Sequence, residues 1–206
     1  MSMADTLVVL DFETTGLSPD LGDRAIEIGA VRIERGNVVD QFQKLMNPGC
    51  SVSPFIEEYT GISNLMLKES APSDEVMAEF AEFVGDSNML AHNASFDKRF
   101  LDAELERISL NYTGEFLCSL LASRRIFQNA PNHKLATLVD FVNIPSDGSF
   151  HRALYDSVMT VQVWNALLAT IRDQYGVNDI PFALIQRLNK TPKKSVHRFL
   201  TNVRDQ

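Results

Sequence analysis

Residues 6–17 read TLVVLDFETTGL, an apolar and β-branched run that ends in two carboxylates. Such a run is typical of a strand in the centre of a sheet. Because side chains alternate along a strand, Asp11 and Glu13 should share one face, with Phe12 on the other. At roughly 5 Å and an effective dielectric of about 20, their repulsion would be on the order of 3 kcal/mol, which is large beside the stability of a folded domain. The pattern therefore predicts a positive charge that holds the pair together.

Strand patterns come first along the chain and then alternate with helical patterns. Apolar residues alternate on both sides of RGN in residues 25–48, which predicts a hairpin, so three strands open the fold. A short strand is predicted for residues 88–92 and a strand running into a helix for residues 115–127. Helices are predicted for residues 53–70 (broken at Gly61), 73–86, 94–108, 133–144 and 154–176. This order predicts an α/β or α+β sandwich, a mixed sheet flanked by helices, with the two carboxylates at the end of its central strand.

The charge of the chain is unevenly distributed. The 206 residues carry a formal net charge of -8 and a pI near 5.0, which argues against a protein that holds nucleic acid by a broad basic surface. An acidic site can still engage phosphates through divalent cations. Residues 177–206 form a polar, basic extension, in which PFALIQRLNK (181–190) predicts a last helix before TPKKS ends it.

Targeting and cysteine patterns are absent. No apolar run approaches the roughly 20 residues of a membrane span, and MSMADT lacks the pattern of a signal peptide. We therefore expect a cytoplasmic protein that does not enter a membrane. Cys50 and Cys118 lie far apart with no zinc-ligand spacing, so neither a disulfide framework nor a zinc site is predicted.

Two further carboxylates are placed like the first pair, at the starts of regular elements. Asp97 precedes the apolar positions of one predicted helix, and Asp156 those of another. A lone acid of this kind is usually a solvated residue, but a carboxylate at the edge of a buried face needs a partner. No set of lysines or arginines accompanies all four, so shared ligation of hard divalent cations is the economical explanation. Oxygen-only ligands favour Mg²⁺ or Mn²⁺ over zinc.

A histidine lies close to the last of these acids. His151 precedes Asp156 by five residues, which on one helix would be about 140° around the axis, so His151 should lie on the loop or first turn before the helix. A neutral imidazole there could take a proton from a water molecule. Taken alone, a surface histidine is the commoner interpretation.

The order and separation of these motifs carry a resemblance. DFETTGL, LAHNASFDKRFL and HRALYDS closely resemble the three exonuclease motifs of the DEDDh (DnaQ-like) family of 3′ to 5′ exonucleases, which includes the epsilon subunit of bacterial DNA polymerase III and ribonuclease T. The resemblance spans about residues 6–170 and extends to EEYTGIS and NHKLATLVDFVNI. It implies a ribonuclease-H-like fold, a five-stranded mixed sheet with helices on both sides. Residues 1–176 would form the exonuclease domain.

The same resemblance implies roles for the site residues. Asp11 would bridge two divalent cations, Mg²⁺ or Mn²⁺, with Glu13 and Asp156 completing one site and Asp97 holding the second. His151 would be the general base, and nucleoside 5′-monophosphates would leave one at a time from a 3′ end. The positions that resemble substrate contacts are Thr14, Gly16, Leu17, Thr60, Ile62, His92, Asn93 and Phe96. Of these, Leu17 would stack on the last bases, Gly16 would let the chain turn, and Phe96 is as compatible with the core. Some relatives have histidine in place of Thr60.

Several functions are compatible with the sequence. The preferred substrate is single-stranded or frayed DNA, since the motif reads ETTGL rather than the EMTGL of oligoribonuclease, and RNA trimming of the ribonuclease T type is the alternative. A rival reading is a polymerase-associated proofreading or docking subunit, with the basic extension as its partner segment. A homodimer and a relative that has lost catalysis are further alternatives.

Overall fold

The computed structural model describes residues 2–205. Met1, at the start of the predicted exonuclease domain 1–176, and Gln206, at the end of the basic extension 177–206, lie outside the described residues. The sheet consists of β1 (Leu7–Thr14), β2 (Ala25–Glu34), β3 (Asn37–Leu45), β4 (Met89–Ala91) and β5 (Phe116–Cys118). Their spatial order is β3-β2-β1-β4-β5. The first three strands are antiparallel neighbours, whereas β4 runs parallel to β1 and β5 parallel to β4. The predicted five-stranded mixed sheet with β1 at its centre is confirmed.

The helices occupy the predicted places, with one addition. They are α1 (Pro54–Thr60), α2 (Asn64–Glu69), α3 (Ser73–Val84), α4 (Ser95–Arg107), α5 (Ser119–Ile126), α6 (Leu135–Phe141), α7 (Ala153–Tyr175), α8 (Phe182–Lys190) and α9 (Val196–Arg204). Gly61 ends α1 in the left-handed conformation at φ 71°, at the predicted break. The sequence reading missed α9, because Pro192 ends α8 but the chain resumes a helix four residues later.

Alternation along β1 divides the core between the two faces of the sheet. Leu7 and Val9 point to the face covered by α5 to α9, while Val8, Leu10 and Phe12 point to the face covered by α3 and α4. Asp11 and Glu13 follow the parity of Val9 and so point toward α7. The end of β1 is therefore the place where a side chain from α7 and one from α4 can meet the strand.

Residues 177–205 pack onto the rest of the chain. Phe182, Ile185 and Leu188 of α8 and Leu200 of α9 are fully or almost fully buried in the same apolar cluster as Trp164 of α7. The amide N–H of Ala4 also donates to the carbonyl of Ile180 at 2.9 Å. Removing this segment would therefore expose core. Among the described residues, none of the helices combines the length and apolarity needed to cross a bilayer.

Candidate active site

Three carboxylates converge at the carboxyl end of β1. Asp11, Glu13 and Asp156 each place one carboxylate oxygen within 4.8 Å of the others. Asp11 and Glu13 come from the strand, and Asp156 from the first turn of α7, which crosses β1 and β2 on that face. This distance is within reach of a shared cation, since carboxylate oxygens lie 2.0–2.6 Å from Mg²⁺ or Ca²⁺ in proteins.

The fourth predicted ligand arrives from the other face of the sheet. Asp97 lies in the first turn of α4, is 2% exposed, and accepts a hydrogen bond from the backbone N–H of Phe12 at 3.3 Å. That bond ties α4 to β1 between Asp11 and Glu13. The structure thus brings all four predicted ligands to one end of one strand, although Asp97 is outside the tightest group of three.

The four acids are buried close together, and the pKa of each is raised. Burial is the largest cause of each shift: it raises the pKa of Glu13 to about 8, of Asp97 to about 7 and of Asp156 to about 6. Burial, followed by the charges of Asp97, Glu13 and Asp156, raises the pKa of Asp11 well above its ordinary value. Burial and mutual repulsion thus favour the protonated forms of these carboxylates.

An unpaired oxygen in the cluster supports a metal ligand role. Oδ1 of Asp156 is buried and, within residues 2–205, has no hydrogen-bond partner. Buried carboxylate oxygens are normally satisfied, so an orphan at a cluster of hard oxygen donors fits a divalent cation of the Mg²⁺ or Mn²⁺ kind. The donor set therefore fits the predicted metal site.

Arg152, a cation whose charge acts on Glu13, is paired with another acid. Arg152 donates to both oxygens of Glu27, at 3.1 Å from Nε and 2.8 Å from Nη2. Glu27 is 1% exposed and lies directly opposite Glu13 in the β1–β2 register. Arg152 lowers the pKa of Glu13 less than burial and the acids raise it. Arg152 is therefore not the positive charge that the sequence predicts for Asp11 and Glu13.

Glu27 also fixes the start of the helix that carries Asp156. Its Oε2 accepts the backbone N–H of Ala153 at 3.1 Å, which satisfies one of the free donors of the first turn. Two residues along β2, the carbonyl of Gly29 accepts the hydroxyl of Ser157 at 2.9 Å. A Cβ on Gly29 would lie 2.0 Å from the backbone N of Leu154, so only glycine permits this contact. The approach of β2 to α7 thus positions Asp156.

His151 stands before α7, as its spacing predicts. Its backbone N–H donates to Oδ2 of Asp156 at 2.9 Å, and the residue adopts a left-handed φ of 69°. The centroid of its ring lies 4.0 Å from that of Tyr59, and burial lowers the pKa of the imidazole. The lowered pKa favours the neutral ring, the state a proton acceptor needs.

These side chains open into one cavity of about 700 Å³. The predicted site residues that line it are Asp11, Glu13, Thr14, Gly16, Leu17, Thr60, Phe96, His151 and Asp156. The sequence reading did not include Phe12, Thr15, Ser53, Phe55, Ile56 and Tyr59, which line it as well. Phe55 and Tyr59 are spaced four residues apart on α1, are at least half exposed, and stack on each other with ring centroids 5.7 Å apart. Two aromatic residues four positions apart on a predicted helix were the signal in the sequence that could have indicated this part of the cavity wall.

The loop after β1 is held in a defined shape. The hydroxyl of Thr14 donates to the carbonyl of Gly16 at 2.6 Å. A Cβ on Gly16 would lie 2.4 Å from Oδ1 of Asp23, whose other oxygen accepts the N–H of Ser18. The carboxylate of Asp23 thus packs against Gly16, and a larger residue there would have to displace it. Leu17 projects from this loop with 78% of its surface exposed.

Three predicted substrate contacts do not line the cavity. Ile62 is fully buried in a small apolar cluster, because its chain returns to the core after α1. His92 is bonded through Nδ1 to the hydroxyl of Ser119 at 2.8 Å and through Nε2 to the carbonyl of His133 at 2.9 Å. Burial lowers the pKa of His92 to about 4, so it joins the ends of β4 and β5 to the loop before α6 as a neutral ring. Asn93 is exposed beyond β4 at φ 71°.

Comparison with known proteins assigns the family. The family model described as Exonuclease matches residues 8–164, more than half of the chain. The chain belongs to the exonuclease family. All four carboxylates and His151 fall inside the matched residues of this exonuclease domain.

Curated relatives agree with that assignment. The exonuclease domain is 34% identical to a DNA polymerase III PolC-type of Caldanaerobacter subterraneus subsp. tengcongensis, over all of this chain and 15% of that protein. It is 33% identical to the 3′-5′ exonuclease DinG of Bacillus subtilis, over 89% of this chain and 19% of that protein. The chain thus spans less than a fifth of the length of these two relatives. The predicted membership of the DEDDh, DnaQ-like family of 3′ to 5′ exonucleases, a class of hydrolases, is confirmed.

Solved structures confirm the predicted ribonuclease-H-like exonuclease fold. A structure of Exonuclease X in complex with 5′ overhanging duplex DNA superposes with a TM-score of 0.68 at 24% identity, covering 89% of this chain and 99% of that one. The nuclease domain of 3′hExo, a DEDDh family member bound to rAMP, superposes with a TM-score of 0.65 at 21% identity, covering 84% and 93%.

Proposed function

We propose that this exonuclease domain is a metal-dependent 3′ to 5′ exonuclease that releases nucleoside 5′-monophosphates from single-stranded or frayed DNA ends. The observation that carries the proposal is the convergence of Asp11, Glu13 and Asp156 within 4.8 Å, with His151 bonded to Asp156, at the floor of one cavity. Asp97 closes the group from the opposite face.

The residues would divide the chemistry as follows. Asp11, Glu13, Asp97 and Asp156 would hold two divalent cations, which supply charge stabilisation to the attacking and leaving oxygens of an in-line displacement at phosphorus. A water oxygen bonds to phosphorus, the bond from phosphorus to the 3′ oxygen of the preceding nucleotide breaks, and the imidazole of His151 accepts the proton of the water. The leaving 3′ oxygen takes a proton from solvent water, so the preceding nucleotide is left with a 3′ hydroxyl and becomes the new end.

The cavity wall would orient the terminal nucleotide. Leu17 is an exposed apolar side chain on the loop after β1, and Phe96 of α4 lines the same cavity. Thr14 and Thr60 supply hydroxyls at the same wall. The hydroxyl of Thr60 donates to the carbonyl of Ile56 and accepts the N–H of Ile62, so its contribution to binding would be through shape rather than a free hydrogen bond.

DNA is the substrate we infer. Support comes from the two curated relatives, whose names are those of a DNA polymerase and a 3′-5′ exonuclease, and from Exonuclease X, which was solved with DNA. The RNA alternative draws on 3′hExo, which was solved with rAMP. Relatedness to PolC-type polymerases likewise supports association with a DNA polymerase as a second proposal. The homodimer stays a prediction, which sedimentation at several protein concentrations would test.

A panel of matched oligonucleotides tests the proposal. DNA and RNA of one sequence, labelled at the 5′ end, are incubated with the protein in Mg²⁺, in Mn²⁺ and in a chelator, and the products are separated by length and identified by mass. We expect a ladder shortening from the 3′ end and 5′-monophosphates in either metal, with DNA degraded faster. Equal or faster trimming of RNA would contradict the DNA preference, and full activity in the chelator would contradict the metal dependence.

A further inference from the structure

The end of the chain has the opposite charge to the rest. Residues 187–206 contain six lysines and arginines against one acid, a net charge of +5, which leaves -13 on residues 1–186. A strand of nucleic acid that approaches most of this surface is therefore repelled, apart from cations held at the carboxylates. The positive segment is the place where the surface attracts phosphates.

The positive charge is concentrated in a short turn. We call Lys190–Lys194 the basic turn, in which Lys190, Lys193 and Lys194 are all exposed. Within residues 2–205, no carboxylate oxygen lies within 4.0 Å of these three ammonium groups. Because they have no acidic partner in the fold, their charge is available to a ligand.

The basic turn is fastened to the body of the domain. Nε of Arg125 donates to the carbonyl of Thr191 at 3.2 Å, and Nε2 of Gln128 donates to the carbonyl of Lys193 at 3.1 Å. The helices on both sides of the turn, α8 and α9, are anchored in the core by Leu188 and Val196. The three lysines are thus presented on a fixed backbone rather than on a loose tail.

The basic turn also lies near the carboxyl ends of the parallel strands, where the carboxylates are. Nδ2 of Asn189 donates to the carbonyl of Cys118, the last residue of β5, at 3.3 Å. Because β1, β4 and β5 are parallel, Cys118 and the carboxylates of β1 all lie toward the carboxyl ends of their strands. Two strand spacings separate β5 from β1, roughly 10 Å. A strand whose 3′ end is held at the carboxylates can therefore pass over the basic turn.

We propose that the basic turn binds phosphates of the substrate strand on the 5′ side of the scissile bond, an inference that rests on the proposed nuclease function. It lies outside residues 8–164, so it is a feature of this chain beyond the part that the family model matches. An acidic protein partner is the other ligand of suitable charge. Because the basic turn and the carboxylates lie at the same end of the parallel strands, nucleic acid is favoured over an acidic protein as its ligand.

The experiment compares two triple variants of the full chain. Lys190→Gln/Lys193→Gln/Lys194→Gln removes the charge of the basic turn, and Arg35→Gln/Lys68→Gln/Arg107→Gln removes the same charge from exposed residues elsewhere. KM and kcat are measured in Mg²⁺ at several salt concentrations for a long single-stranded oligonucleotide and for a dinucleotide. The dinucleotide is the internal control, because its one phosphodiester is the bond that is cut.

For the basic-turn variant we expect the KM of the oligonucleotide to rise at least about fivefold. The slope of log KM against log salt concentration should fall by about 2, because each of the three lost phosphate contacts contributes roughly 0.7. Its kcat, and both constants for the dinucleotide, should equal those of the unmodified protein, and the control triple variant should change none of them. Unchanged KM and slope in a protein that degrades the oligonucleotide would overturn this inference alone. No degradation by the unmodified protein would overturn the proposed function and this inference with it.

Discussion

The metal-free protein should lose stability as the pH rises through the range in which its acidic cluster ionises. Burial and neighbouring acids raise the pKa of Glu13 from an ordinary value of 4.5 to about 8. A group whose pKa is higher in the folded state stabilises the fold fully at low pH, and that contribution disappears as the pH rises toward and past the folded value. Asp97, at about 7, and Asp156, at about 6, act in the same direction.

The size of the effect follows from the shift of Glu13. Between about pH 5.5 and pH 8, linkage gives a loss of about 3 kcal/mol for Glu13 alone. For a domain of this length, each kcal/mol moves the melting temperature by roughly 2–4 °C, so Glu13 accounts for about 6–12 °C. Divalent cations should restore this stability at the higher pH, where the carboxylates are ionised, and much less at the lower pH, where protons compete with the metal.

Thermal unfolding followed by circular dichroism measures this effect. The unmodified protein and Glu13→Gln are melted at about pH 5.5 and pH 8, in a chelator and in Mg²⁺. The fall in melting temperature in the chelator should be larger for the unmodified protein than for Glu13→Gln, because the amide does not titrate. The reasoning is refuted if the two proteins show the same pH dependence, or if Mg²⁺ stabilises the unmodified protein equally at both pH values.

Three substitutions distinguish a residue needed for the reaction from residues needed for the stability of the fold. His151→Gln should lower kcat by about 10²–10⁴-fold while Mg²⁺ still raises the melting temperature, and an unchanged kcat would exclude His151 as the base. Glu27→Ala leaves Arg152 and the first turn of α7 without their acceptor and should cost about 2–4 kcal/mol in urea unfolding; a loss below 1 kcal/mol would show that the ion pair is not needed. Gly29→Ala places a methyl group 2.0 Å from the backbone N of Leu154, so we expect the free energy of unfolding to fall by about 3 kcal/mol or more, and an unchanged urea midpoint would contradict that contact.

The sheet and most of the site were predictable because their signals are local. A β-branched run ending in Asp11 and Glu13, a five-residue offset between His151 and Asp156, and a helix that begins near Asp97 each need only a few residues to be read. The structure places these groups as the pattern implied. Repulsion alone predicts a positive partner without distinguishing a side chain from a metal, and the lack of a matching set of lysines and arginines in the sequence is what favoured a metal.

The rest depends on contacts between residues that are distant in sequence. Glu27 is an acid inside a buried strand, which signals a partner, yet that partner is Arg152, 125 residues away. His92 was expected in the substrate pocket, but Ser119 and the carbonyl of His133 take both of its nitrogens. Helix α9 was missed since TPKKS resembles the end of the folded chain, whereas Val196 and Leu200 continue the core beyond it.

The most direct test of the account is the rate of mononucleotide release after a single acid is replaced. Asp11→Asn removes a ligand from the cluster. Asp20→Asn changes an exposed acid in the loop between β1 and β2 and serves as the matched control. Release from a 3′-labelled DNA oligonucleotide in Mg²⁺ should fall at least about a hundredfold in Asp11→Asn and stay unchanged in Asp20→Asn. A rate in Asp11→Asn equal to that of the unmodified protein would contradict the assignment of the acidic cluster as the catalytic metal site.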